Sequence, residues 1–510
     1  MKKFLSMSLT ALLISCSLAG CSTKKASTDI PGADGVTLTI HAGTVEAGPY
    51  NGDWPIFVEA AKKTGVKLKG TMPDTVTNFS QEMSLMLASG ELSDIVMTSN
   101  LEFFNYGKEG AFEPLDDLID EYAPHIKAFF EENPEVKEMA TGPDGKIWFI
   151  PFVQDGVAQA GWFIRKDWLD KLGLAVPETL ADYQKTLTAF ANEDPNGNGK
   201  KDEIPYFHRS SVEGINGLLS LWAAHPSFYV KDGQVGYGPL DDSYKLAYEN
   251  IKQWYNDKLI DPEMFTRANA RDVLLAENIG GSTHDLFGST GNYNTKLADK
   301  IPDFDFSPMA PPANSEGNKV EPTKRKIART YGWGMSASNA HKEETIKYFD
   351  YWFTEEGRRM ANFGIEGDTY EMVDGKPILT DKVLNGGKPA IDIVRETGAQ
   401  SNFGFQQDYA FEEQWTTDVA LKGISDYVEN NYFEEQFPDV KFNEETQKNI
   451  NKLLPKISTY IGETTQQWVL GAKEIDFDKF TAELSRLGAD ELVKYYQEAY
   501  AQYIKALKNE

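Results

Sequence analysis

Over the first hundred residues, two hydrophobic periods take turns along the chain. Residues 36–40, Val-Thr-Leu-Thr-Ile, alternate apolar and polar and predict a strand. Ile56, Phe57, Ala60 and Ala61 then share one helical face, with Asp53 near the start, Pro55 in the first turn and Gly65 to end it. Residues 66–68 predict a second short strand. Residues 78–88 predict a second helix, with Phe79, Met83, Met86 and Leu87 inward and Gly90 as its terminator. Residues 94–97, Asp-Ile-Val-Met, predict a third strand. Strand, helix, strand, helix, strand implies a parallel sheet, which needs cover on both faces.

Further along, an apolar strand at 147–150 stops at Pro151 and the pattern restarts at 162–165, ahead of a helix over 167–172. That interruption reads as a crossing from one lobe to another. A similar restart at 331–335 precedes a helical stretch over 342–360, and a helical pair closes the chain at 477–507. In the last helix Leu492, Tyr496, Tyr500, Tyr503 and Leu507 share a face, as core packing requires. No internal repeat interrupts this order.

The first twenty residues carry Lys2 and Lys3, an apolar run from Phe4 to Leu18 and small residues at the end, which is the pattern of a secretory signal peptide. Leu18-Ala19-Gly20-Cys21 then places a cysteine where a lipid anchor would be attached. Two acyl chains at about 0.8 kcal/mol per buried methylene hold a protein on a membrane where one chain is marginal. Residues 22–35 are small and polar and read as a flexible spacer. With Cys16 in the leader and Cys21 acylated, no thiol remains for a disulfide.

The 510 residues are enough for two or three ordinary domains or one large two-lobed one. Their formal net charge is −27, and loss of Lys2 and Lys3 makes it −29, which argues against nucleic-acid and anionic-lipid partners. Aromatic residues make up 12%, with 10 Trp and 23 Tyr, a surplus that suggests flat rings offered to flat ligands such as sugars.

The clearest local chemistry is the run 194–203. Asp194, Asn196, Asn198 and Asp202 occupy positions 1, 3, 5 and 9 of an EF-hand-like loop, with Gly199 at the sharp turn and the Lys200 carbonyl at position 7. Glu203 comes at position 10 rather than 12, and Pro205 stands at 12, so the closing carboxylate arrives early. A helix over 180–191, capped by Thr179 and Asp182, leads into this candidate structural calcium site, whose alternative is an Asn-Gly turn with solvated charges, Lys200 and Lys201 lowering its affinity for cations. Nucleophile-elbow, metalloprotease, phosphate-loop and dinucleotide motifs are absent from the sequence. The six histidines, His41, His125, His208, His225, His284 and His341, show no metal-ligand spacing. A glycosidase pair of carboxylates needs only to meet in space, so composition leaves a polysaccharide-degrading enzyme open.

Several stretches together resemble one family: the Cys21 lipobox, 88–95 (ASGELSDI), 110–118 (GAFEPLDDL), 162–172 (WFIRKDWLDKL), the 194–203 loop, 364–370 (GIEGDTY) and 496–500 (YQEAY). They are similar to bacterial extracellular solute-binding family 1 lipoproteins, in the subgroup with alginate-oligosaccharide-binding proteins. The resemblance implies a non-enzymatic, monomeric receptor of a carbohydrate ABC importer, outside the cell and delivering an oligosaccharide to membrane permeases. The implied fold is α/β and periplasmic-binding-protein-like, type II: two lobes, each a mostly parallel sheet covered by helices. Lobe 1 is expected over 36–155 and 331–398, and lobe 2 over 156–330 and 399–510. Crossings are expected near 151–160, 328–334 and 395–403, so that a ligand in the cleft closes the lobes as rigid bodies. Trp222, Trp333 and Trp162 are the stacking candidates, with Trp54 behind them. Asp155, Arg165, His284, Asp285, Glu366 and Asp368 are the candidate polar contacts. A receptor for a non-sugar solute such as a peptide is the other alternative.

Overall fold

The computed structural model describes residues 35–44, 48–76, 78–209, 211–401 and 406–508; Cys21, its leader and nearly all of the spacer lie outside that description. The strands of the two main sheets, in chain order, are β1 (Val36–His41), β2 (Val66–Gly70), β3 (Ile95–Ser99), β4 (Ile150–Val153), β5 (Ala160–Arg165), β6 (Ile204–Tyr206), β7 (Gly280–Leu286), β8 (Phe306–Met309) and β9 (Ala328–Met335). Among the described residues they form a five-stranded sheet ordered β2-β1-β3-β9-β4 and a four-stranded sheet ordered β8-β5-β7-β6.

In the first sheet β1 runs parallel to β2 and β3, with Val36 beside Val66 and Ile40 beside Ile95, while β9 runs antiparallel to both β3 and β4. In the second, β7 is parallel to β6, and β5 is antiparallel to both β7 and β8. Each sheet is therefore parallel apart from one reversed strand. That strand is in each case the one by which the chain arrives from the other lobe. A strand entering at the end where its neighbours finish can only run back against them.

The helices form where the sequence places them. In Pro55–Thr64 the residues Ile56, Phe57, Ala60 and Ala61 are buried, and Gly65 at φ 71° ends the helix in the left-handed region. Phe79–Ser89 is capped by the Asn78 side chain, which accepts from Gln81 N. The 342–360 stretch divides into Lys342–Tyr351 and Glu355–Phe363, because Thr354 caps the second helix. Gly357 permits that sharp turn, since a Cβ there would lie 2.0 Å from the Tyr351 carbonyl. Pro151 does not end a strand, as its ring suggests, but sits inside β4, and residues 147–149 precede it. β4 is an edge strand, where a missing N–H costs no ladder bond.

One core surrounds the first sheet and includes Trp333, Phe349 and Trp352; two others flank the second sheet, around Trp162 and Trp254 and around Phe163 and Phe287. Phe411, in the helix Tyr409–Trp415, packs in the first core. Residue 411 thus packs with the first sheet, although it falls in the stretch 399–510 expected in lobe 2. Trp333 is 0% exposed, with Phe349 at 5.1 Å and Tyr348 at 6.2 Å between ring centroids. Trp333→Ala is expected to lower unfolding free energy by about 3–5 kcal/mol in urea titrations; a ligand-contact role would instead leave stability intact and weaken binding.

Candidate functional site

The three connecting segments run side by side. Val153 bridges Gln406, Gln407 N donates to the Val153 carbonyl, Gln154 N donates to the Ile327 carbonyl, and Arg325 N donates to the Val157 carbonyl. Arg325 ties them with its side chain. It makes a bidentate pair with Glu412 at 2.6 and 2.8 Å and also donates to the Asp155 carbonyl. These segments enter at the carboxyl ends of the parallel strands, the end at which open α/β sheets bind ligands.

There, against the second lobe, lies a cavity of about 630 Å³, within the ~300–1,000 Å³ range of small-molecule sites. Its floor is the start of β5 at Ala160 and the end of β7 at His284, Asp285 and Leu286. His208 and Arg209, just past β6, form one side, and Asn216, Gly217 and Ser220 form another. The remaining walls come from 224–229, from Pro322 and Thr323, and from 434–437. His225 stacks on Tyr229 at 3.9 Å and 14°, and Phe228 stacks on Tyr496 at 3.7 Å and 11°. Flat rings thus alternate with hydroxyl, amide and carboxylate groups.

The polar groups are held by buried partners. Asp285 accepts from Arg209 Nε at 2.7 Å and from Arg271 at 3.0 Å, and Arg271 also donates to Ser289 and Thr290. His284 Nε2 lies 2.9 Å from Glu321, whose carboxylate also accepts from Thr323 N. Burial alone would lower the His284 pKa, but the charge and hydrogen bond of Glu321 outweigh it and hold the imidazole above its ordinary value. Burial pushes the Glu434 carboxyl up and the His225 imidazole down, although the two stand 3.6 Å apart.

Of the residues expected to touch a ligand, His284 and Asp285 line this cavity. The tryptophans do not. Trp162 and Trp333 are 0% exposed, and Trp222 is buried edge-on against Trp254 at 5.1 Å, so none can offer a face. Trp54 is half-buried against the first core beside Phe57. Arg165 is wholly buried, paired with Asp167 and lying over the rings of Trp168 and Phe304. Asp155 is exposed at the hinge beside Arg358. Glu366 and Asp368 sit on an exposed turn, Asp368 paired with Lys382.

Trp415 is the aromatic that sequence reasoning passed over. It packs half-buried on the first core, yet a Cβ at Gly288 in the second lobe would meet its ring at 3.6 Å. Its buried Nε1 has no hydrogen-bond partner among the described residues. Arg209 and the 434–437 segment were also missed. The usable signal for Arg209 is its position directly after a parallel strand, whereas 434–437 has no periodicity to betray it.

In the 194–203 loop, Asp194 accepts from Asn198 N and Gly199 N, while Asn196 and Asn198 accept from Asn198 N and Lys200 N. Among the described residues no group of three or more His, Cys, Asp or Glu is placed to hold a metal. Here two of the oxygen-bearing side chains are amides. The donor set nevertheless fits a hard cation: Glu203 is buried, and its Oε1 has no partner among the described residues. Burial, with Asp194 and Asp202 nearby, raises its pKa.

Two α/β lobes joined by three segments, with a cavity at their strand ends, define a two-domain solute-binding protein. The comparisons agree: the profile of the bacterial extracellular solute-binding protein family matches residues 47–359. The chain belongs to that family. Its structure is similar to the crystal structure of the alginate-binding protein AlgQ2 without calcium ion, with a TM-score of 0.79 and 38% identity over 91% of this chain and 98% of that one. It also matches the Streptococcus pneumoniae ABC-transporter substrate-binding protein FusA in complex with kestose, with a TM-score of 0.71 and 25% identity over 92% and 99% of the two chains. In sequence, the fructooligosaccharide ABC transporter substrate-binding protein FusA of S. pneumoniae serotype 4 is 27% identical over 99% of this chain and all of that one. Among the described residues, no helix is long and apolar enough to cross a membrane.

The His284–Glu321 pair makes stability depend on pH. A pKa raised on folding contributes stability that is complete below the ordinary imidazole value of 6.5 and is lost as pH rises through the higher folded value. Melting temperature is expected to fall across that window, and His284→Gln to flatten the fall; an unchanged slope in the variant would assign it to other groups.

Proposed function

We propose that this protein is the oligosaccharide receptor of a carbohydrate ABC importer, held outside the cell through Cys21 and handing its cargo to membrane permeases as a monomer. The observation that carries the reading is the cavity itself, where stacked rings and hydroxyl-binding groups meet at the strand ends beside the hinge. Relatives named for sugars support it. The proposed moving bodies are 36–153 with 328–415 and 158–325 with 417–508. A sugar touching both stabilises the closed form alone, and that difference is the signal a permease reads. Trp415 is the first lobe's stacking face, reaching toward the helix Phe287–Gly291 that follows the cavity floor.

Asp194, Asn196, Asn198, Asp202 and Glu203, with the Lys200 carbonyl, are proposed to hold a structural calcium ion, which supplies the charge that the buried Glu203 lacks. The ion anchors the end of the helix Leu180–Asn192 far from any bond-breaking step.

With residues 22–510 in calcium, thermal melting against an oligosaccharide panel is expected to rise with concentration for one glycan class, the sugar being recovered intact. Trp415→Ala should weaken that binding by about 2 kcal/mol, roughly thirtyfold in Kd by calorimetry. A degraded sugar would replace the receptor by an enzyme.

Chelation tests the metal separately. A carboxyl whose pKa is raised on folding loses stability as pH climbs through the interval above 4.5, so the ion-free loop is least stable at neutral pH. A ligand at a hundred times its Kd adds about 2.7 kcal/mol. Chelator is expected to lower the melting temperature clearly at pH 7.5 and less at pH 5, and Asp194→Ala to abolish both effects. Equal melting with and without chelator at both pH values would remove calcium from the loop.

A further inference from the structure

The charges around the cavity are unevenly divided. One Lys or Arg side chain lines it, Arg209, against three carboxylates, Asp285, Glu434 and Glu435, a formal −2 with the histidines neutral. Arg209 is partly committed: its Nε and Nη2 both go to Asp285 and Nη2 also donates to Ser289, which leaves Nη1, on a side chain 31% exposed, to face a ligand. Arg271, behind it, shares that carboxylate. The cation acting on Glu434 is Lys231, which is outside the lining.

A neighbouring hollow of about 320 Å³ does contain Lys324, Arg325 and Lys326. It lies on the far side of the wall 434–437, which lines both spaces, and within it Arg325 holds Glu412 and Lys326 holds Asp439. Residues 45–47, 77, 210 and 402–405, outside the description, include no Lys or Arg. A uronate entering the cavity would face Glu434 and Glu435, and the one guanidinium in the lining, Arg209, has its charge already balanced by the buried Asp285. Truncating or displacing one partner of such a pair is strongly unfavourable, and like charges set face to face lower affinity steeply. A neutral sugar meets no such obstacle, because hydroxyls pair with carboxylates, amides and imidazoles alike.

We propose that the cargo is an uncharged oligosaccharide and that the cavity rejects polyuronates, even though the chain is 38% identical to an alginate-binding protein. This rests on the sugar-receptor reading above and narrows it. Glu434 and Glu435 act as specificity residues: they accept hydrogen bonds from neutral hydroxyls and repel carboxylates.

The test is calorimetry on calcium-loaded residues 22–510 with neutral oligomers, including kestose-type fructans, galactans and glucans, beside alginate and galacturonate oligomers of equal length, at low and high salt. Expected is binding within the neutral set with a Kd nearly independent of salt, and at least about a hundredfold weaker binding of every uronate. Glu434→Gln with Glu435→Gln should narrow that gap about tenfold or more by raising uronate affinity, most visibly at low salt. A uronate bound as tightly as any neutral oligomer would overturn the charge inference while leaving the sugar receptor standing. Silence from both sets would overturn the receptor reading, and the inference with it. A gap unchanged in the double variant would remove Glu434 and Glu435 from the specificity role.

Discussion

The pair between Arg325 and Glu412 is the contact on which the arrangement turns. Its guanidinium lies in one connecting segment, its carboxylate belongs to the helix after another, and its remaining hydrogens reach the carbonyls of Asp155 and Ala158 in the third. Both partners are largely buried. An ion pair of this kind stabilises little compared with a well-packed apolar substitute, but loss of one partner leaves an uncompensated charge in the interior. It therefore specifies geometry: the three segments can bend together and cannot slide apart.

Each sheet's reversed strand follows from the same constraint. Because β5 and β9 enter beside the hinge and run away from it, the cavity floor is made from strand ends whose positions are fixed by whole sheets, and its walls from connecting loops. Rigid floor and adjustable walls suit a receptor that must recognise one solute and signal its presence.

Much of the fold was legible in the chain. The alternation at 36–40, the helical face of Ile56 to Ala61 and the cap at Thr179 each form locally, so local sequence carries them. The connecting segments are less local: restarts at 162–165 and 331–335 interrupt the pattern visibly, whereas the packing of Phe411 in the first core, beyond the third crossing expected near 395–403, depends on distant residues. The site was harder. Trp162, Trp222 and Trp333 are buried and Trp415 is half-buried on the first core, a difference that tertiary packing alone decides. His284 and Asp285 line the cavity because they lie at a strand end; Glu434 lies in a segment whose backbone pairs with Glu321, more than a hundred residues earlier. The loop at 194–203 closes on itself within a few residues, with Asp194 accepting from Asn198 N and Gly199 N, so its turn follows from local sequence.

β9 occupies the fourth place in the first sheet, between β3 and β4, although it is drawn from residues 328–335. A chain emerging from its amino end first would present β1 to β4 long before the strand that joins β3 to β4 appears. That sheet cannot close until roughly two thirds of the polypeptide has been released, and by then the whole second lobe's strands have emerged as well. Synthesis order and folding order are thereby uncoupled: the first lobe's sheet stays open until the chain has been released through Met335.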